Sequence, residues 1–384
     1  SDYPYTLLEG NDNLPEMIIG RMSVRSNSDL ANVINKIIGY ENNYSNDNDW
    51  LTSAALVGDP YDSGISTVIT NQYIEEIMGI HGGITDIRTK YSGSNFDGFM
   101  RSQIDDGVAF LNYRGFYGFS DFTTSDVDQL NNGYKLPFLM TLTCGVNNYA
   151  DENETVVEAL FRAGTVTNPS GAVAVVGTSQ SYTHTAFNNI VTMGMYEGLF
   201  IDKVATAGES LVYGKLALNE IYPQNPNNNV YYFASWNNLM GDPATQLWTG
   251  NAKLLTADHV GELYQGSSNF QVNVTDSHGD PYYNAKVVLY KGSGNNTDIQ
   301  LISYSDENGV ADFILEDYSQ GTVNVLTYCQ NCLPVETEFS ISSSPAELVI
   351  LDSSIEVIEQ TGNNNGLLNP SETVEISFDI QNLS

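Results

Sequence analysis

Hydrophobic residues follow two different patterns along the chain, and the change falls near residue 250. In the first part, short apolar runs such as 108–113 and 136–143 alternate with longer segments in which apolar residues recur every three or four positions. Short continuous runs are typical of strands buried on both faces, and the longer spacing is typical of amphipathic helices. The alternation therefore predicts an α/β domain over 21–250, with a mainly parallel sheet and helices on both faces.

The second part of the chain consists of short runs in which apolar and polar residues alternate. The runs are separated by turn-forming dipeptides such as Ser293-Gly294 and Asn308-Gly309. This pattern predicts a small immunoglobulin-like β-sandwich over 251–343. Another β pattern starts at 344 and runs to 384, and we expect it to be the start of a further β domain that is truncated. Its last strand would then offer an edge for strand addition.

The amino-acid composition limits the classes of molecule that the protein is expected to bind. The 384 residues include 14 Lys and Arg against 47 Asp and Glu, a net charge of −33. Such an excess of negative charge disfavours binding to nucleic acid or to anionic membranes, and no run approaches the roughly 20 apolar residues of a membrane span. Asn, Thr, Ser and Tyr are abundant while Lys is scarce. Together these features indicate an extracellular or cell-surface protein.

Two of the predicted strands end in residues that could carry chemistry. The run 136–143 leads directly to Cys144, and the run 108–113 leads through Gly115 to Phe116 and Tyr117. Because ligand sites of parallel sheets lie at the carboxyl ends of the strands, we expect these ends to be neighbours. A nucleophilic thiol needs a base and oxyanion donors. The alternative is a buried, inert cysteine.

The order of several motifs resembles the gingipain family of cysteine peptidases over about residues 12–249. These motifs are LPEMIIGRMSV, VINKIIGYEN, VAFLNYRG, LPFLMTLTCG, GAVAVVGTSQSY and NLMGDPATQLW. The resemblance implies a caspase-like fold, followed by a β-sandwich, with Cys144 as the nucleophile. It also implies that residues 1–20 are the exit of an N-terminal caspase-like half and the connector that follows it. That half would be a separate chain or would have been removed.

The chain departs from the family where the base is expected. In gingipains the strand that matches 108–113 ends in Asn-Tyr-x-Gly-His-Gly, whose histidine is the base. Here the residues are Gly115-Phe116-Tyr117-Gly118, so that Phe116 falls on the histidine position. A phenyl ring cannot accept a proton, and tyrosine hydroxyls ionise only near pH 10. We therefore expect an impaired peptidase with a binding, surface or assembly role, acting through a protein partner or self-assembly at β edges.

The resemblance assigns two further residues and leaves one alternative base. Glu16 falls on the acidic residue that supports the histidine, and Tyr182 falls on an aromatic residue of the substrate pocket. His184 lies in the loop after the strand that follows Cys144. As a base it would make the protein an active extracellular cysteine endopeptidase. It could equally be a surface residue or the first residue of a helix.

Two short sequence motifs could indicate a bound cation or a disulfide bond. Residues 361–372 nearly fit an EF-hand calcium loop, with Asn363, Asn365 and Glu372 as candidate ligands for Ca²⁺, although a plain loop is favoured. We expect no cofactor to be required. The pair in YCQNC, Cys329 and Cys332, fits a redox pair, half a zinc site or a local disulfide. In an oxidising compartment the local disulfide is favoured.

Overall fold

The chain folds into two compact units. The computed structural model describes all residues except 152, 268, 293, 316–317, 344–347, 351–353, 363–364, 366–369, 372 and 383–384. One unit is Ser1–Leu254 with Cys329–Pro334, and the other is Leu255–Tyr328 with Val335–Ser384. The change of sequence pattern near residue 250 lies close to this division. Residues 1–20 belong to the first unit.

The first unit alternates strands and helices. Its helices are α1 (Asn27–Glu41), α2 (Ser66–His81), α3 (Phe96–Asp106), α4 (Thr124–Val127), α5 (Val156–Arg162), α6 (Thr185–Phe200), α7 (Ala207–Ile221) and α8 (Asn229–Trp236). Its strands are β1 (Ser53–Gly58), β2 (Asp86–Lys90), β3 (Phe110–Arg114), β4 (Phe138–Thr141), β5 (Gly164–Thr165), β6 (Asn168–Pro169), β7 (Ala174–Thr178) and β8 (Asn237–Met240). In the part of the chain that the structure describes, no helix has the length and apolarity needed to cross a membrane.

Six strands of the first unit form one sheet, in the order β2-β1-β3-β4-β7-β8. The pairings from β2 to β7 are parallel, and β8 pairs antiparallel with β7 at one edge. Every residue of β1, β3, β4 and β7 is buried, as expected for strands that are covered on both faces. The prediction of a mainly parallel sheet between layers of helices is therefore confirmed.

The second unit is built from strands. These are β9 (Leu255–Asp258), β10 (Glu262–Tyr264), β11 (Asn269–Asp276), β12 (Lys286–Lys291), β13 (Ile299–Tyr304), β14 (Val310–Ile314), β15 (Gly321–Tyr328) and β16 (Val335–Ser342). They form sheets in the orders β10-β16-β15-β12-β13 and β14-β11-β9. Phe270 of one sheet stacks on Phe339 of the other, with ring centroids 4.2 Å apart. The immunoglobulin-like type of this unit stays a prediction.

The C-terminal strands pair with one another. They are β17 (Leu348–Ile350), β18 (Glu356–Thr361), β19 (Thr373–Ser377) and β20 (Ile380–Asn382). β18 pairs antiparallel with β19, and β17 pairs antiparallel with β20. The segment 373–384 therefore contributes strands that already have one partner each within the chain. Strand addition from a neighbouring molecule at these strands stays a prediction.

The Cys329–Pro334 segment carries the two neighbouring cysteines. Cys329 and Cys332 form a disulfide bond, which is the arrangement favoured for an oxidising compartment. The backbone N–H of Thr249 donates to the side-chain oxygen of Asn331 at 2.7 Å, and Leu333 N–H donates to the Lys253 carbonyl at 2.9 Å. These bonds explain why the segment belongs to the first unit although it follows β15.

Helices α6 and α7 approach closely at glycines. Gly214 of α7 is buried, and a Cβ atom on it would lie 2.5 Å from the Val191 carbonyl oxygen of α6. That distance is shorter than a van der Waals contact. The Cβ atom would clash with a backbone oxygen, which cannot move aside as the end of a flexible side chain can. The close approach matters because α6 begins beside the strand ends that hold Cys144. A side chain at position 214 would push α6 away from its position.

We predict that Gly214→Ala destabilises the protein by about 1–3 kcal/mol, measured by denaturant unfolding. The steric clash should outweigh the better helix propensity of alanine. Gly79→Ala in α2 is the matched control, since a Cβ atom there has nothing within 4 Å. That variant should be stabilised by about 0.5–1 kcal/mol. Equal effects of the two substitutions would contradict the close packing of α6 on α7.

Candidate active site

Cys144 lies beside the loop that follows β3. Strands β3 and β4 are parallel neighbours, so the residues after them meet at the carboxyl edge of the sheet. Tyr117 forms an isolated parallel bridge with Cys144, and the Gly118 N–H donates to the Cys144 carbonyl at 3.1 Å. The structure thus places the 115–118 loop next to the cysteine, as the two sequence runs predict.

The sulfur of Cys144 faces a threonine. The side chain is almost fully buried, and its Sγ lies 3.0 Å from Thr183 Oγ1. That oxygen also accepts a hydrogen bond of 3.3 Å from Asn188 Nδ2. Because the hydroxyl already accepts from Asn188, its own proton can point to the sulfur. In the part of the chain that the structure describes, the hydrogen-bond partners of the sulfur are atoms of Thr183.

The two aromatic residues of the 115–118 loop reach solvent. Phe116 is 50% and Tyr117 is 65% exposed. A Cβ atom placed on Gly145 would lie 3.6 Å from the Tyr117 hydroxyl, so this ring stands over the residue that follows the cysteine. The Gly145 N–H donates to the Gln180 carbonyl at 2.9 Å. One backbone donor that could hold an oxyanion is therefore already engaged.

Arg114, the last residue of β3, is fully buried under this edge. Its guanidinium donates to Asn189 Oδ1 at 2.9 and 2.7 Å, to the Thr185 carbonyl at 3.3 Å and to the Leu142 carbonyl. Burial lowers the pKa of Arg114 to about 10, while the neighbouring Tyr113 and Cys144 act in the opposite direction. Arg114 was not among the residues predicted from the sequence, although an arginine at the end of a buried apolar run was the visible signal.

One acidic residue at this edge is Asp59, which follows β1. Its N–H donates to the Arg114 carbonyl at 2.8 Å, and its Oδ2 accepts from Ser120 Oγ at 3.0 Å. Glu16, which the resemblance suggested, is exposed and accepts from the N–H groups of Leu8 and Glu9. Its described hydrogen bonds do not reach the loops after β3 or β4. The position of Asp59 follows from β1 pairing with β3, and strand order cannot be read from periodicity.

His184 and Tyr182 lie in the loop before α6. His184 is the N-cap of α6, and its Nδ1 accepts a hydrogen bond of 3.2 Å from the Ala186 N–H. The ring is exposed, and no hydrogen bond joins it to Cys144 among the contacts of the described residues. Tyr182 is 90% exposed. The structure thus brings both residues to the loop adjoining Cys144, and it gives the imidazole a local structural role.

The candidate calcium ligands fall mostly outside the described residues. Asn363 and Glu372 lie outside the described residues, whereas Asn365 is described. Among the described residues, no group of three or more His, Cys, Asp and Glu side chains could hold a metal ion. In the acidic segment 46–50, Asp47 forms an ion pair of 2.7 Å with Lys135, and the bond with this lysine is the main cause that lowers the Asp47 pKa.

A mainly parallel six-stranded sheet with a cysteine at the carboxyl edge of an inner strand defines the class as a protein of caspase-like fold. Within that class, the chain belongs to Peptidase family C25, whose sequence model matches residues 1–248. This match confirms the resemblance drawn from the motif order.

The curated relatives are gingipains. The chain is 25% identical over 301 residues to gingipain R1 of Porphyromonas gingivalis, covering 72% of this chain and 28% of that protein. It is 30% identical over 189 residues to gingipain R2 of the same organism, covering 47% of this chain and 26% of that protein. The chain therefore spans less than a third of the length of these relatives.

Solved structures agree on the fold. The crystal structure of the Arg-specific cysteine proteinase gingipain R superposes with a TM-score of 0.77 at 22% identity, covering 89% of this chain and 79% of that one. A complex of the pro- and mature domains of RgpB from Porphyromonas gingivalis gives a TM-score of 0.77 at 23% identity, covering 89% and 81% of the two chains.

We predict that His184→Ala lowers the free energy of unfolding by about 1 kcal/mol because α6 loses its cap. His184→Asn should recover most of the loss, since asparagine is a good N-cap residue. Neither variant should slow the alkylation of Cys144 by iodoacetamide at pH 7, followed by mass spectrometry. Slow alkylation in both variants would instead make His184 the base that activates the thiol.

Proposed function

We propose that this gingipain-family protein has an impaired peptidase site and serves a binding or assembly role at the cell surface. The observation that carries the proposal is the set of residues next to Cys144. Its sulfur faces Thr183, and the loop paired with it presents Phe116 and Tyr117. In this proposal Phe116 occupies the position that holds the catalytic histidine in gingipains.

Peptide hydrolysis needs proton transfer at two points. A base takes the proton of the thiol, and an acid gives a proton to the amine that leaves. A phenyl ring can do neither, and a tyrosine hydroxyl is a poor base at neutral pH. Loss of general acid–base catalysis typically costs about two to four orders of magnitude in rate. The engagement of the Gly145 N–H with Gln180 also removes a donor for the oxyanion.

Charge and composition support the proposed location and role. A net charge of −33 keeps a protein soluble and disfavours anionic surfaces as partners. The second unit ends its sheets in edge strands such as β13 and β14, and edge strands are sites of strand addition. We therefore propose a protein partner or a second copy of the chain as the ligand, with no catalytic cofactor.

The test is to rebuild the base. Phe116→His with Tyr117→Gly places an imidazole beside Cys144 and removes the ring that covers Gly145. Cys144-dependent hydrolysis of a panel of fluorogenic peptide amides should rise at least about tenfold at pH 7.5, which is a conservative share of the usual effect of a general base. The rate should depend on a group that titrates near pH 6.5, the ordinary range of histidine.

Two controls make the result decisive. Cys144→Ala in the rebuilt variant should abolish the gain, and circular dichroism should show that the fold is kept. A folded double variant with no gain would contradict the role given to Phe116. Rapid Cys144-dependent hydrolysis by the unmodified chain would overturn the proposal and favour an active endopeptidase.

A further inference from the structure

Arg114 is a buried cation whose acceptors are all neutral. Its described hydrogen bonds go to two backbone carbonyls and to the amide oxygen of Asn189, and no ion pair of Arg114 exists among the described residues. A buried charge without a counter-ion is costly to fold around. A buried cation of this kind is expected where it stabilises negative charge that forms on a neighbouring group.

The guanidinium of Arg114 donates hydrogen bonds to the two chain segments that flank Cys144. Leu142, whose carbonyl accepts from Nη1, lies two residues before the cysteine. Thr185, whose carbonyl accepts from Nη2 at 3.3 Å, lies two residues after Thr183, the residue that contacts the sulfur. The guanidinium therefore bridges the two segments that enclose the sulfur atom.

The first turn of α6 adds further positive electrostatic potential near the Cys144 sulfur. Thr183 precedes the N-cap of this helix of 16 residues, and the N-terminal end of a helix carries partial positive charge. The Thr183 hydroxyl, which accepts from Asn188, is free to donate toward the sulfur. A thiolate at Cys144 would thus have a hydrogen-bond donor, a helix N-terminus and a buried cation around it.

We propose that Arg114 is the electrostatic partner of a Cys144 thiolate and supplies the positive charge that an imidazolium supplies in Cys–His peptidases. The proposal rests on the absence of a histidine base proposed above and goes beyond it. A cation stabilises the nucleophile but has no proton to exchange at neutral pH. The site is then suited to electrophiles whose leaving group departs without a proton, such as disulfides.

Thiol–disulfide exchange balances with these residues alone. The Cys144 thiolate attacks one sulfur of a small disulfide, a new S–S bond forms, the old S–S bond breaks, and the displaced sulfur leaves as a thiolate. No external oxidant and no proton donor is needed. The almost complete burial of Cys144 limits the reaction to small or extended partners.

Other charges near this edge are less well placed to act on Cys144. The titratable residues of the loops around Cys144 include Asp59, Tyr61 and Asp62 after β1, Tyr113 of β3, Tyr117 and Asp121 after β3, Tyr149 and Asp151 after Cys144, and Tyr182 and His184 before α6. Asp59 is bonded to Ser120, Tyr113 is buried and burial raises its pKa. Tyr117, Tyr182 and His184 are exposed, so water and salt screen them.

The test neutralises the guanidinium without removing it. Asn189→Asp keeps the shape of the side chain and both hydrogen bonds to Arg114 while it adds a paired negative charge. We expect the midpoint of the pH–rate profile for iodoacetamide alkylation of Cys144 to move up by about one pH unit or more. Arg114→Met should move it in the same direction, and a folded protein must be confirmed by circular dichroism. Gln72→Glu, an exposed change of equal charge on α2, should leave it in place.

The difference in absorbance near 240 nm between each protein and its Cys144→Ser counterpart gives the same midpoint without any reagent, because the subtraction removes the tyrosinate absorbance of the 24 tyrosines. A shift in Asn189→Asp with none in Gln72→Glu supports the proposal. Coincident profiles of the unmodified protein and Asn189→Asp would overturn it, even if Arg114→Met reacts differently, because Arg114 would then act only by holding the loops. Because alkylation requires no peptide cleavage, either result is independent of the test with the rebuilt histidine.

Discussion

The parallel pairing of β3 with β4 is the constraint on which the rest of the site depends. Parallel strands deliver their following residues to the same edge of a sheet, and the register of Tyr113 with Thr141 brings the 115–118 loop level with Cys144. Both strands are buried throughout, so a shift of either would move apolar side chains out of the core. The hydrophobic core thereby fixes the position of the cysteine.

Helix α6 completes the enclosure of the sulfur. Its first turns carry Asn188 and Asn189, which bind Thr183 and Arg114 respectively. The same helix is held in place by the glycine contact with α7. Packing far from the cysteine therefore determines whether the threonine hydroxyl and the guanidinium stay in position. This arrangement connects helix packing to the chemistry of one sulfur atom.

In the two proposals made above, the site separates two tasks that a catalytic histidine combines. An imidazole both stabilises a thiolate and moves protons, whereas a buried arginine can do only the first. A protein that keeps the nucleophile and a cation but lacks a proton carrier retains reactivity toward a narrower class of electrophiles. Within Peptidase family C25, such a site would suit a protein whose main role is binding.

The sequence alone determined the α/β sheet, the place where its pattern changes and the neighbourhood of Cys144 and the Phe116 loop, because periodicity and strand ends are local properties. It also indicated the family and the local disulfide. Only the tertiary structure decided that Asp59 lies at this edge, that the Glu16 carboxylate accepts from the N–H groups of Leu8 and Glu9, that the His184 ring caps α6, and that Arg114 is buried among neutral acceptors. Those outcomes depend on strand order and on the direction of side chains, which arise from packing between segments distant in the chain.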